Sequence, residues 1–99
     1  MSQTKQQYGQ QFANESLISN MKNCSVGDSV TITYKSDSGL KVSKYGTVDK
    51  IETVANSIDI WIKTNLTNKA YIHVNTKTKD LYFQSGSRKQ VKNQLIKLE

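Results

Sequence analysis

Three pairs of side chains carry most of the chemistry open to this chain. In one segment Ile58, Ile60 and Ile62 alternate with Asp59, Trp61 and Lys63. In the next, Ala70, Ile72 and Val74 alternate with Lys69, Tyr71, His73 and Asn75. A period of two is that of a strand with one buried face. Setting both apolar rows on one face of an antiparallel hairpin puts Ile60 opposite Ile72, Ile62 opposite Ala70 and Ile58 opposite Val74. The other face then pairs Trp61 with Tyr71, Lys63 with Lys69 and Asp59 with His73. Aromatic rings flanked by ammonium groups can stack bases and meet phosphates, and two opposed lysines suit an anion lying between them. The same residues suit two other surroundings. Trp61 and Tyr71 can pack beneath a terminal helix as a second small core, as cross-strand aromatic pairs often do without any ligand. They can equally form a protein interface, where Trp and Tyr are enriched.

Charge is unevenly placed. The 99 residues include 14 Lys/Arg against 8 Asp/Glu, a formal net charge of +6. Residues 56–99 hold Lys63, Lys69, Lys77, Lys79, Arg88, Lys89, Lys92 and Lys97 against Asp59, Asp80 and Glu99, a net of +5, which leaves residues 1–55 nearly neutral. Lys77 and Lys79 share one turn, and Arg88, Lys89 and Lys92 open the C-terminal segment. Beside the Trp61/Tyr71 face they would complete a basic surface with aromatic platforms; as solvated charges they would only keep the protein soluble. With Arg88 as the single arginine, bidentate reading of bases is not expected. The expected ligand is RNA or single-stranded DNA, bound with low sequence preference through Trp61, Lys63, Lys69, Tyr71, His73, Lys77, Lys79, Arg88, Lys89 and Lys92.

Catalysis is not expected. His73 is the only histidine, and a His–Asp pair without a positioned nucleophile is not a triad. Cys24 stands alone, so it makes no internal disulfide and no thiolate zinc site. Asp49 and Glu52 have no further ligands near them in sequence, and no Gly-rich loop precedes a helix to cradle phosphate. No metal and no cofactor are expected. The alternative function is protein interaction. Abundant Lys, Asn and Ile beside one Arg and no Pro fit an AT-rich genome, which suggests a virus- or plasmid-encoded inhibitor or adaptor acting on a host protein. The first twenty residues lack an apolar signal-peptide core, and no run nears the ~18 apolar residues of a membrane span. A cytoplasmic protein away from membranes is expected, as a monomer or small homo-oligomer.

The elements that must position these residues are short. Residues 1–11 are Gln-rich and nearly uncharged, too polar to offset their ordering entropy, and are expected to be disordered. Phe12, Leu17, Ile18 and Met21 fall at helical spacings. Val30, Ile32 and Tyr34 alternate with Thr31, Thr33 and Lys35 as a first strand. Leu40, Val42, Tyr45, Val48 and Ile51 make a second, with Gly46 inside it as a bulge or sharp bend. The aromatic hairpin follows, turning through Asn65-Leu66-Thr67-Asn68, and Leu81-Tyr82-Phe83 is a fifth strand. Asp80-Leu81-Tyr82-Phe83-Gln84-Ser85 resembles a potyviral protease cleavage site, but Lys79 stands where that site needs Glu, so it reads as native strand. At the C-terminus Val91, Leu95 and Leu98, at i, i+4 and i+7, predict a short amphipathic helix capped by Ser85 or Ser87. A closing strand through Leu95-Ile96 is the alternative.

Gly27-Asp28-Ser29-Val30, Gly39, Gly46-Thr47-Val48, Ile51 and Ile58-Asp59-Ile60 together resemble an SH3-like barrel of the KOW type, over residues 26–62. The resemblance implies a small barrel that contacts RNA. Ser36-Asp37-Ser38-Gly39 stands where the family often carries a basic Lys-Gly pair, which moves any such contact away from that loop. The expected architecture is mainly β: a five-stranded antiparallel SH3-like or OB-like barrel over residues 12–99, with short helices flanking it.

Overall fold

A computed structural model describes residues 10–36, 38–65, 68–85 and 94–99. Seven strands and one helix follow in the order β1 (Gln10–Phe12), α1 (Glu15–Lys22), β2 (Ser29–Lys35), β3 (Lys41–Val54), β4 (Ser57–Lys63), β5 (Lys69–Asn75), β6 (Asp80–Ser85) and β7 (Gln94–Leu98). They form one sheet in the order β1-β6-β5-β4-β3-β2-β7, every neighbouring pair antiparallel. Strands β2 to β6 are a meander of hairpins, and β1 and β7 extend it on either side.

The sheet curls into a nearly closed barrel, and a side chain bridges the seam. Gln11 Nε2 donates to the Leu95 carbonyl at 3.0 Å, while the Leu95 N–H donates to Gln11 Oε1 at 2.7 Å. The amide thus presents to β7 the donor and acceptor that a neighbouring backbone would present. Curvature also brings Tyr34 of β2 against Phe83 of β6, strands four places apart in the sheet, with ring centroids at 5.2 Å. The interior is one apolar cluster in which Ile60, Ile62, Ile72, Val74 and Leu98 are wholly buried.

The helix begins three residues later than its apolar spacing alone suggests. Asn14 accepts the Leu17 N–H at 2.8 Å, Glu15 occupies the first turn and Lys22 the last. That cap leaves Phe12 in β1 and largely exposed, while Leu17, Ile18 and Met21 are buried in the common core. Lys79 Nζ, 2.7 Å from Glu15, ties the helix start to the turn before β6 and holds the Glu15 carboxyl below its ordinary pKa by its hydrogen bond and charge.

Three expectations change. The strands number seven rather than five. Gln10 and Gln11 belong to a strand, whereas residues 1–9 lie outside the described part. The C-terminal helix is replaced by β7 over its described residues, because a bulge mimics helical spacing. The β2–β7 register shifts between Thr33 and Tyr34, so that Thr33 faces Lys97 and Tyr34 faces Leu95. One extra residue, Ile96, lets Leu95 and Leu98 both point inward although they are three apart.

Candidate binding face

The β4–β5 hairpin adopts the register its alternation predicts. Ile60 faces Ile72, Ile62 faces Ala70 and Ile58 faces Val74 inside the barrel. Trp61 faces Tyr71, Lys63 faces Lys69 and Asp59 faces His73 outside it. Neighbouring strands lengthen these pairs into rows: Lys50–Trp61–Tyr71–Gln84, then Glu52–Asp59–His73–Tyr82, then Thr47–Lys63–Lys69.

Aromatic contact crosses the rows. The Trp61 and Tyr71 centroids are 5.0 Å apart with planes inclined by 31°, and Tyr71 and Tyr82 follow at 5.9 Å and 57°. Lys50 Nζ stands 4.9 Å from the Trp61 ring centroid, within cation–π range. All three rings are part-exposed, and Trp61 lies outside the core cluster. Among the described residues no helix covers this face, since α1 spends its buried side chains on the barrel interior. The reading of Trp61 and Tyr71 as a second core beneath a helix finds no such cover among the described residues.

Polar groups hold the rings in place. Asp59 Oδ1 accepts from the Tyr71 hydroxyl at 2.8 Å and lies 2.5 Å from His73 Nδ1. A carboxylate only accepts, so Nδ1 carries the hydrogen of that bond. Burial first, then the Asp59 bond and charge, pushes the Tyr71 phenol well above its ordinary value. Lys50 pairs with Glu52 at 3.2 Å and Lys69 with Asp49 at 3.0 Å. The opposed lysines therefore need no external anion to relieve them, because Asp49 already neutralises one. Lys63 has no ion-pair partner among the described residues.

Of the expected site residues, Trp61, Lys63, Lys69, Tyr71 and His73 share this face. Lys77 is exposed in the turn beyond β5, about 20 Å along the strand from Lys69 at ~3.4 Å per residue. Lys79 is engaged with Glu15. Arg88, Lys89 and Lys92 lie outside the described residues. Two members escaped the sequence reading. Tyr82 was legible, since Leu81 and Phe83 point inward and leave it outside. Lys50 was not, because the β3–β4 register shifts between Val48 and Lys50.

Other reactive groups stand apart. The Cys24 thiol donates to the Asn20 carbonyl at 3.3 Å, and burial, aided by Asp28, raises its pKa and keeps it protonated. Among the described residues no three of His, Cys, Asp or Glu are grouped to hold a metal, and no helix is long and apolar enough to cross a membrane. No protein-family model, curated protein or solved structure matches this chain. Its class rests on its own fold, a mainly β, nearly closed small antiparallel barrel.

Proposed function

We propose that the protein is a non-enzymatic module that binds single-stranded nucleic acid on the outer face of β4, β5 and β6, with little sequence preference. One observation carries the reading: Trp61, Tyr71 and Tyr82 form a part-exposed aromatic row on a sheet face that also bears Lys50, Lys63 and Lys69. Stacking on such a row tolerates any base and contributes about 1–3 kcal/mol per base. The paired lysines remain usable. Both ion pairs are substantially exposed, and exposed pairs contribute only about 0.2–1 kcal/mol, so phosphate can replace Glu52 or Asp49 as the partner. The KOW-type pattern over residues 26–62 supports the same direction.

A second reading, a protein partner, is favoured by the carboxylates themselves. Asp49 and Glu52 balance Lys69 and Lys50 within the patch, Asp59 adds a third carboxylate, and an aromatic centre ringed by both charge signs is suited to a protein surface.

Trp61 is the only tryptophan, so its fluorescence reports on the face directly. Adding an oligothymidylate at about 50 mM salt is expected to quench it, with binding weakening steeply as salt rises. Trp61→Ala is expected to lower affinity ~5- to ~100-fold while the fold persists. Absence of binding at that salt refutes the nucleic-acid reading. A nuclease-resistant complex with one protein, lost in Trp61→Ala, would establish the second.

A further inference from the structure

Beyond the aromatic row the same outer surface continues into a groove of about 700 Å³ where the start of β2 and the end of β4 meet the middle of β3. Tyr45 is one wall, 79% exposed and so the barest aromatic among the described residues. Lys63 and Thr64 form the other, with Thr31 and Thr47 adding hydroxyls. Gly46 lets the strands close beneath them. A Cβ there would stand 2.6 Å from the Ile62 side chain and 2.9 Å from the Lys63 carbonyl, so only glycine permits this approach of β3 to β4. The groove differs in kind from the row beside it. No carboxylate is among its lining residues, and its one cation, Lys63, is the lysine of this face without an ion-pair partner among the described residues. Lys63 and Trp61 are two residues apart on one strand and therefore share the outward side.

We infer that this groove is a subsite for one further nucleotide of a bound single strand, with its base on the Tyr45 ring and its phosphate on the Lys63 ammonium. The inference rests on the nucleic-acid reading and extends it. A strand leaving Trp61 crosses Lys63 before reaching Tyr45, so the subsite gives the path a direction across the sheet. Charge supports this occupant over a peptide of mixed charge: the lining offers a cation, hydroxyl groups and an aromatic ring, with nothing to repel a phosphate.

The test uses the full chain and a fluorescent twelve-nucleotide oligothymidylate at about 50 mM salt. Tyr45→Ala is expected to weaken binding ~5- to ~100-fold, as loss of one stacked base does. Lys63→Gln should weaken it and lower the salt slope by about 0.7, the share of one phosphate contact on a single strand. Both side chains are exposed, so thermal melts should match the parent protein. If both variants bind as the parent does while Trp61→Ala fails, the groove assignment is wrong and the aromatic row stands. If the parent does not bind the oligonucleotide, both fall. If the parent protein binds thymidine monophosphate, equally well after Trp61→Ala, the groove is a free-nucleotide site and the strand path is wrong.

Discussion

Asp59 organises the outer face by accepting two hydrogen bonds on one oxygen, from Tyr71 and His73. The Tyr71 bond has a measurable consequence at alkaline pH. Its folded-state pKa lies above the unfolded value of about 10, so the folded protein keeps this proton longer than the unfolded chain. The stability tied to neutral Tyr71 is therefore complete below pH ~10 and is lost as pH climbs through the raised folded value. Tyr71→Phe should cost about 1 kcal/mol at neutral pH, less than the ~1.5–3 kcal/mol of a hydrogen bond to a charged group, because the ring is part-exposed. It should also remove part of the alkaline decline. Denaturant titrations at pH ~8 and ~11 would show the two proteins converging; parallel declines would refute a raised Tyr71. Trp61, Tyr71, Asp59 and His73 were placed correctly from alternation alone, since each is an outward residue between two apolar ones.

At the level of elements, two bulges explain most of what alternation could not reveal. Val48 and Ile51 both face inward although they are three apart, because the β3–β4 register shifts beside Asp49. The shift turns Lys50 outward over Trp61 and leaves Asp49 free to reach Lys69. Leu95 and Leu98 repeat the pattern in β7. A spacing of three is read as helix when the bulge is unknown, since one inserted residue converts an even strand spacing to an odd one. Gly46 is not where β3 bulges; it allows a close approach to β4. The seam has its own test. Gln11→Ala removes both hydrogen bonds to Leu95 and should cost about 1–3 kcal/mol at ~0.5–1.5 kcal/mol per bond. Amide exchange at Leu95 should accelerate at least ~10-fold, the local opening expected at an unpaired edge. Unchanged exchange would mean that β7 is held by β2 alone.

Across the whole molecule, 14 Lys/Arg against 8 Asp/Glu give the net +6. The described residues carry ten lysines against seven carboxylates, and the other half of the net charge comes from Lys5, Arg88, Lys89 and Lys92, offset by Asp37. On the barrel wall the surplus is small because Asp49 and Glu52 each occupy a lysine. Replacing both by Asn and Gln should free Lys69 and Lys50, raise oligothymidylate affinity ~3- to ~10-fold at low salt and steepen the salt slope by up to ~1.4. A protein partner matched to both charge signs would instead bind the double variant less well. Equal or weaker oligonucleotide binding would count against the nucleic-acid reading.

Which faces of β4 and β5 look inward was determined by sequence alone, because a one-residue slip would turn either Ile58, Ile60 and Ile62 or Ala70, Ile72 and Val74 to water. The same pattern settled that Trp61 and Tyr71 share the outer face, and the structure made them direct neighbours. Only the tertiary structure decided that the sheet curls shut, because the Gln11–Leu95 contact joins residues 84 apart and nothing local to either names its partner. It also decided that Asp49 answers Lys69 and that Tyr45 and Lys63 line one groove. Those meetings depend on a bulge and on a missing Cβ at Gly46, which reset the side-chain parity and strand separation that periodic reading assumes to be uniform.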